Sequence, residues 1–269
     1  MLGPFLFLLF INDVCNFTTY GCVTNLYADD TIIYTAGNTV DEVRDRLQSC
    51  LNSISHWYYS NRLHININKC KTMVIGTKSQ LRSLNLDDFR LSYDQTPMEL
   101  VSNAKYLGLF INSDISWDVH VNHLCKQLYF LLSMLRRMSK NFPQSLLVKV
   151  YKTFIQPKID YGITVWGRTT EFNLNKIQRM QNQAARIILK NFDFISTRGI
   201  DLVHQLGLFD IRSRRDYFTQ MFMFKVIHGY TPDYISDCIN MNSEVNVYNT
   251  RSSNTMDVYL PTPRKKIQK

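Results

Sequence analysis

The feature that most constrains the fold is a pair of adjacent aspartates, Asp29 and Asp30, set between two short runs of strand-forming residues. A run that begins at Cys22 precedes the pair, and the β-branched and aromatic run 31–34 follows it. Two such runs separated by a few turn residues predict a tight hairpin. The two carboxylates would then lie side by side at the tip of a rigid turn.

Two like charges on one turn favour a bound divalent cation. Magnesium prefers oxygen ligands, and proteins usually hold it with one or two carboxylates together with substrate phosphates. The pattern therefore predicts Mg²⁺, with Mn²⁺ as a possible substitute, at Asp29 and Asp30, and phosphoryl or nucleotidyl transfer as the chemistry. A structural alternative stays open, because aspartate is also common in turns, where it accepts local backbone hydrogen bonds.

Four blocks of sequence, taken in order, resemble the reverse transcriptases of non-LTR retrotransposons. The catalytic box of that family is Tyr-Ala-Asp-Asp, which stands here at Tyr27, Ala28, Asp29 and Asp30. The other three blocks are residues 2–13, which include Gly3 and Pro4; residues 65–73, which include Lys69; and residues 105–111, which include Leu107 and Gly108. The likeness continues through later segments and covers nearly the whole chain.

The resemblance implies an RNA-directed DNA polymerase that adds deoxynucleotides to the 3′ end of a primer. Asp29 and Asp30 would hold the metal, and Lys69 would lie near the triphosphate as a general acid for the departing pyrophosphate. An ordinary solvated lysine remains the alternative for Lys69, and Lys71 is the second candidate for the role. The residues that would contact substrate or primer are Gly3, Pro4, Tyr27, Ala28, Leu107 and Gly108.

Family members also carry another catalytic aspartate and a fingers subdomain upstream of the position of Gly3. The sequence given starts after both, so we expect this chain to be inactive by itself, because two carboxylates on one turn do not complete a two-metal centre. Two other hypotheses remain: a nucleic-acid-binding relic without catalysis, and a purely structural protein.

The expected fold class is α+β. A truncated polymerase palm, an antiparallel sheet with packed helices, would occupy residues 1–113, and an all-helical thumb with an extension residues 114–235. A disordered basic tail would follow at 236–269. In the first part, the capping-box pattern of Thr39 and Glu42 predicts the start of an amphipathic helix. A strand is predicted at 72–75, a loop at 78–88, a hairpin within 89–101 and a strand at 106–111.

Helical periodicity dominates after residue 117. The predicted core stripes are Val121, Leu124, Leu128, Leu131 and Leu135; Leu147, Val150, Tyr151 and Phe154, in a helix closed by Pro157; Leu174, Ile177, Gln181, Ala184 and Ile188; and Phe218, Met221, Phe222 and Ile227. Arg186 is assigned to an outer face of the third helix. A set of cations, Arg136, Arg137, Lys140, Lys149 and Lys152, would either contact phosphates or serve only solubility.

The chain carries 31 Lys and Arg against 22 Asp and Glu, a net charge of +9. This balance favours a polyanionic partner, here an RNA template and a DNA primer used with deoxynucleoside triphosphates. The six cysteines form no CxxC pair, so we expect no zinc site. The apolar run 5–11 is too short to span a membrane and is predicted to be a buried helix. We expect an intracellular protein of cytoplasm and nucleus.

Overall fold

The computed structural model describes residues 2–85, 89–237 and 239, which divide into two compact units, Met1–His120 and Val121–Lys269. Helices dominate and the strands form small sheets, so the expectation of an α+β fold is confirmed at this coarse level. Nearly all of the predicted tail at 236–269 lies outside the described residues.

In the described residues, the first unit combines a long helix, Val40–Ser60, and shorter helices with four small sheets. Its elements are α1 (Leu2–Ile11), a 3-10 turn (Asn12–Phe17), β1 (Cys22–Tyr27), β2 (Asp30–Thr35), α2 (Val40–Ser60), a second 3-10 turn (Ile67–Lys69), β3 (Lys71–Thr72), α3 (Lys78–Ser83), β4 (Ser92–Tyr93), β5 (Thr96–Pro97), β6 (Glu99–Leu100), β7 (Asn103–Tyr106) and β8 (Leu109–Asn112).

The core of this unit forms where α2 meets the β1–β2 hairpin and the first 3-10 turn. The buried side chains are Ile11, Val14, Cys50, Ile54, Trp57 and Tyr58. Cys22, Leu26 and Ile33 of the hairpin pack against them. The predicted hairpin and the predicted helix after Thr39 are therefore both present, and they stabilise each other by burying apolar surface.

Helix α2 begins with a cap close to the predicted one. The side chain of Thr39 accepts a hydrogen bond from the Glu42 backbone N–H at 3.2 Å. Glu42 Oε2 in turn accepts from the backbone N–H of Asn38 at 2.9 Å, one residue further out than the capping-box pattern predicts. This bond and the nearby Arg46 guanidinium lower the pKa of Glu42.

Helix α1 forms as predicted, but the prediction that it is buried was wrong. Only Ile11 is buried in it, whereas Leu2 is 68% exposed and Phe5 59% exposed. The reason is its composition: the helix is apolar all around, so one face reaches the core of this unit and the rest has no apolar partner among the described residues.

The sheets also differ from the prediction of one antiparallel sheet. Among the residues that the structure describes, the strands form four separate two-stranded sheets, and β3 pairs with β6 in parallel. The strand expected at 72–75 is only the two-residue β3, and the loop expected at 78–88 contains α3. Helix α3 was not predicted, because it is short and polar. Its start is fixed by a capping box in which Thr77 and Gln80 form reciprocal hydrogen bonds between side chain and backbone.

Two turns with positive φ angles explain the remaining differences in the strands. Asp94 and Gln95, at φ 46° and 62°, close a two-residue turn, so the strands of the hairpin predicted within 89–101 pair closer to the turn than expected, Tyr93 with Thr96 and Ser92 with Pro97. The backbone N–H of Met98 continues this ladder by donating to the carbonyl of Leu91 at 2.8 Å. Leu107 and Gly108, at φ 44° and 81°, close another, which converts the strand predicted at 106–111 into the β7–β8 hairpin. Two central residues with positive φ are typical of the type I′ turn.

The second unit is helical. Its elements are α4 (Asp118–Met138), whose first three residues are counted with the first unit, α5 (Gln144–Val150), a π-helical turn (Tyr151–Ile155), α6 (Gln156–Asp160), α7 (Ile163–Trp166), α8 (Glu171–Leu189), α9 (Gly199–Gln205), α10 (Ile211–Ile227) and α11 (Asp233–Ser236).

The π-helical turn changes which residues of the predicted core stripe are buried. A π turn accommodates more than four residues, so the face that points to the core shifts along the chain. Ile155 is therefore buried, while Phe154 is 57% exposed. Pro157 does not close the helix, because α6 continues to Asp160.

Other stripes are confirmed to different degrees. All five residues predicted on α8 are buried, but on α4 Leu132 is buried in place of Leu131. On α10 the buried residues are Ile211 and Val226 rather than the predicted Phe218, Met221, Phe222 and Ile227. Arg186, assigned to an outer face, is only 6% exposed.

A buried polar network connects α8 to the helices around it. Gln181 Nε2 donates to the hydroxyl of Tyr151 at 3.1 Å and to the carbonyl of Phe209 at 2.9 Å. Its Oε1 accepts from Gln178 Nε2 at 2.9 Å, and Gln178 Oε1 accepts from the backbone N–H of Ile211 at 2.9 Å. Burial raises the pKa of Tyr151 to about 12, so its hydroxyl stays neutral at physiological pH.

An ion pair with little exposure joins α6 to α10. Arg214 Nε and Nη2 donate to the two carboxylate oxygens of Asp160 at 2.6 and 2.5 Å. The planar guanidinium of arginine binds a carboxylate through two parallel hydrogen bonds, which fix the orientation of the pair as well as its distance.

Within the ranges that the structure covers, no helix has the length and apolar character needed to cross a membrane.

Replacing Gly108 by alanine is expected to destabilise the first unit. At φ 81° an added Cβ is strained, which costs about 1–2 kcal/mol. Gly76→Ala is the matched control, because its Cβ would meet only ordinary contacts at 3.6–3.7 Å. Urea unfolding of the two variants should differ in midpoint; equal midpoints would contradict the assigned turn.

Replacing Gln181 by leucine is expected to lower the free energy of unfolding by about 2–4 kcal/mol, because the Tyr151 hydroxyl and the Phe209 carbonyl lose their shared donor in a buried site. Gln183→Leu, two residues away and half-buried, is the control and should change stability by less than about 1 kcal/mol. Thermal unfolding followed by circular dichroism measures both. A Gln181 variant as stable as the Gln183 variant would exclude a stabilising role for the network.

Candidate functional site

The site begins with the turn that joins β1 to β2. Tyr27 pairs with Asp30, which leaves Ala28 and Asp29 as the two turn residues. Ala28 has φ 54°, and a positive φ is uncommon for any residue other than glycine. A two-residue hairpin turn requires positive φ at its first central position, so the turn itself imposes this conformation. The strain, of order 1–3 kcal/mol, is stored in the residue beside the carboxylates.

The hairpin turns one face to the core and the other outward. Leu26 and Ile33 pack against α2, and Thr31 shares a hydrogen bond of 3.3 Å with the hydroxyl of Tyr58. Asp29 and Asp30 are both exposed at the tip, and Tyr27 is 64% exposed. The carboxylates are therefore held by a packed element while they stay open to ligands.

The β7–β8 hairpin lies close enough to this tip to interact electrostatically with it. Burial raises the pKa of Tyr106, and the negative charge of Asp30 raises it further. Tyr106 directly precedes the Leu107-Gly108 turn. The structure thus brings two of the predicted segments together, and it adds Tyr106 to the site. The sequence carried a signal for this residue, a tyrosine inside the fourth block, but the sequence alone gave it no role.

The two candidate lysines have different surroundings. Lys69 ends a 3-10 turn and is exposed, and no ion pair with it is found among the described residues. The amine of Lys71 pairs with the carboxylate of Glu99 on the neighbouring strand β6. Lys71 is thereby committed to a structural contact, whereas the charge of Lys69 remains available to a ligand.

Gly3 and Pro4 lie in the first turn of α1, and both are exposed. A Cβ built on Gly3 would meet nothing within 4 Å. The position that a side chain would take at Gly3 is therefore open in the described part of the chain.

The donor chemistry at the turn fits a hard divalent cation, since two carboxylates are adjacent and exposed. The set is small, however. No group of three or more Asp, Glu, His or Cys side chains able to hold a metal is found in the part of the chain that the structure covers. Two carboxylates can share one cation with substrate phosphates, but they leave a second metal without its own protein ligands.

Comparison with protein families matches residues 1–111 to the reverse transcriptase (RNA-dependent DNA polymerase) family. The matched segment contains the β1–β2 turn, both lysines and nearly all of the β7–β8 hairpin.

Curated relatives extend the likeness beyond that segment. The chain is 26% identical over 223 residues, 80% of its length, to the probable RNA-directed DNA polymerase from transposon BS of Drosophila melanogaster. It is 24% identical over 216 residues, 75% of its length, to the RNA-directed DNA polymerase from mobile element jockey of the same species. The Pol polyprotein from the type-1 retrotransposable element R1 of Bradysia coprophila is 23% identical over 222 residues, 79% of the chain.

These matches cover 24%, 22% and 21% of the three relatives, so the chain spans less than a quarter of their length. No solved structure matches the chain. The family match and the relatives agree with the resemblance carried by the four sequence blocks. Residues 1–111 therefore match the reverse transcriptase family, and most of the chain is similar to RNA-directed DNA polymerases of non-LTR retrotransposons.

Proposed function

We propose that this chain is the part of an RNA-directed DNA polymerase that carries the catalytic turn, and that it adds deoxynucleotides to a primer 3′ end when a further carboxylate is supplied. The observation that carries the proposal is the strained turn at Ala28, which presents Asp29 and Asp30 outward, with Asp30 near enough to Tyr106 for its charge to raise the pKa of that tyrosine. Asp29 and Asp30 would hold Mg²⁺, or Mn²⁺ in its place, and the ion would bridge to the triphosphate.

Residues 1–113 act in this proposal as the second half of a palm, and residues 114–235 as a thumb and its extension. Tyr27 and Ala28 lie against the primer end and incoming nucleotide, Gly3 and Pro4 line the space for the template and nucleotide, and Leu107 and Gly108 grip the primer. The template is RNA, the primer is DNA, and the work takes place in the cytoplasm and nucleus.

Lys69 is the general acid in the proposal, since its ammonium is exposed and not committed to an ion pair in the described structure, unlike that of Lys71. A lysine in this role is protonated before the step and gives its proton to the leaving pyrophosphate.

A second function is favoured by one observation, the small number of carboxylates at the turn. A chain that keeps the basic charge and the helical unit but cannot complete a two-metal centre would bind nucleic acid without extending a primer. The two functions predict different results when another protein segment supplies a further carboxylate. The first predicts primer extension, and the second predicts binding without extension.

The first prediction concerns Asp29. The chain alone should not extend a DNA primer on an RNA template with Mg²⁺, whereas a chimera that supplies the upstream half of a jockey-type relative should. In the chimera, Asp29→Asn should lower the extension rate about a hundredfold or more, the size expected when a group that stabilises transition-state charge is lost.

The matched control is Asp94→Asn, which also removes an exposed aspartate from a hairpin turn and should leave the rate nearly unchanged. Extension by the chain alone would contradict the need for a further carboxylate. If the chimera binds primer–template but never extends it, the binding function is the correct one.

The second prediction separates the lysines in the same chimera. Lys69→Ala should lower kcat by about a hundredfold, within the range for general acid catalysis, while Lys71→Ala, which removes the partner of Glu99, should lower it by less than tenfold.

The arginine variant identifies the role of Lys69. Lys69→Arg keeps the positive charge, but a guanidinium does not give up its proton, so this variant should keep a normal KM for the nucleotide and lose kcat as Lys69→Ala does. A kcat of Lys69→Arg equal to that of the unsubstituted chimera would exclude Lys69 as the acid.

A further inference from the structure

A basic and aromatic cavity in the second unit is separate from the turn described above. It has a volume of about 330 Å³ and lies between α4, α8 and the segment 190–199. Three arginines and two phenylalanines face it: Arg136, Arg179, Arg186, Phe192 and Phe194. This volume is at the lower end of the range for small-ligand sites. No acidic side chain lines the cavity in the described part of the chain.

Arg186 forms the fixed base of the cavity. It is 6% exposed, and its Nη1 and Nη2 donate to the backbone carbonyls of Asp193 at 2.7 Å and Thr197 at 2.6 Å. No carboxylate lies within 4 Å of its guanidinium among the residues described, so its charge is held in place by neutral acceptors. A buried cation whose hydrogen bonds go to neutral acceptors favours an anion nearby.

The segment that carries the two rings is held by its own hydrogen bonds. Asp193 Oδ1 accepts from the backbone N–H groups of Ile195 and Ser196 at 2.9 and 3.0 Å, and its own N–H donates to Asn191. The hydrogen bonds from Ser196 and from the backbone, with a smaller effect of Arg186, keep the pKa of Asp193 below its usual value. The carboxylate is occupied inside the loop rather than directed at the arginines.

The two rings are presented to solvent with a cation behind them. Phe194 is 73% exposed, and the guanidinium carbon of Arg186 lies 4.3 Å from the centre of its ring. Phe192 is 48% exposed, with the guanidinium of Arg136 at 5.8 Å. An exposed ring backed by a positive charge suits the face of a nucleobase, whereas neighbouring arginines suit phosphates.

We propose that this cavity binds a single-stranded stretch of nucleic acid, with one base stacked on Phe194 and the adjacent phosphates held by Arg136 and Arg179. A duplex does not fit the same chemistry, because its bases are already stacked on each other. The inference adds to the proposed function a site in the helical unit for unpaired template or primer. It rests on that function only for the identification of the bound strand as template or primer.

Fluorescence anisotropy with the whole 269-residue chain tests the proposal, in EDTA and without nucleotide. The probes are labelled oligo(dT) and oligo(rU) of about 12 nucleotides, within the range of site sizes of single-strand binding folds, and a duplex of the same length. Phe194→Ala should weaken binding of the single strands about tenfold, and Phe194→Trp should retain it. Comparison of the two single strands identifies whether the site prefers DNA or RNA.

The matched control is Phe172→Ala. Phe172 is 68% exposed on α8 and also has a cation over its ring, Lys176 at 4.6 Å, but it does not line the cavity. It should leave the affinity unchanged. Arg179→Gln should reduce the slope of log affinity against log salt by about 0.7, the value for one phosphate contact on a single strand. Circular dichroism melting checks that each variant folds.

Three results would overturn the inference. Equal affinity of Phe194→Ala and Phe172→Ala would exclude stacking on Phe194, and duplex binding as tight as single-strand binding would exclude a preference for unpaired bases. If Phe194→Ala left oligonucleotide binding unchanged but reduced the self-association of the chain, measured by sedimentation, the segment 190–199 would be a protein interface instead. Because the binding assay contains no metal and no nucleotide, its results do not depend on whether the chimera extends a primer. Tight duplex binding with no single-strand binding would leave the proposed function intact.

Discussion

The backbone of Ala28 is the constraint on which the first unit depends. Its φ of 54° closes the turn in two residues, and this sets the register in which Tyr27 pairs with Asp30 and Leu26 with Thr31. A slip of one residue would move every side chain of a strand to the opposite face. Leu26 and Ile33 would then leave the core against α2. The turn that exposes the carboxylates and the packing that supports this turn therefore depend on each other.

The second unit is organised by polar groups inside an apolar helix face. Gln181 stands where the α8 stripe calls for an apolar residue, and it connects the Tyr151 hydroxyl to the carbonyl before α10. A fully satisfied buried network specifies one arrangement of its helices, since any shift leaves a polar group without a partner. The Asp160–Arg214 pair adds a second directional contact between α6 and α10. Apolar burial supplies the driving force, and these contacts select the geometry.

How much the sequence predicts follows from the range of the interactions involved. The β1–β2 hairpin, α2 and α8 were predictable, because each is encoded by a local pattern of turn, cap or stripe residues. The π turn, which replaces Phe154 by Ile155 in the core, depends on packing along a helix and has no local signature. Arg186 was misassigned for a related reason: its backbone partners, Asp193 and Thr197, belong to a loop whose path cannot be predicted from periodicity. In the candidate site, residue types identified Asp29 and Asp30, but the proximity of Tyr106 to Asp30 is a tertiary feature.

Chemistry and binding make different demands on a folded chain, and the two regions described above differ accordingly. A two-metal centre needs carboxylates from more than one element, and the β1–β2 turn supplies two from a single turn. Binding an unpaired strand needs positive charge and exposed aromatic faces, and the cavity beside Arg186 has both, on α4, α8 and the segment 190–199. The fixed guanidinium of Arg186 holds this second arrangement together, because the same side chain that anchors the loop backbone also lies against the ring of Phe194. The proposed binding of a strand by the helical unit is therefore independent of whether the turn at Asp29 and Asp30 has all the ligands that a metal centre needs.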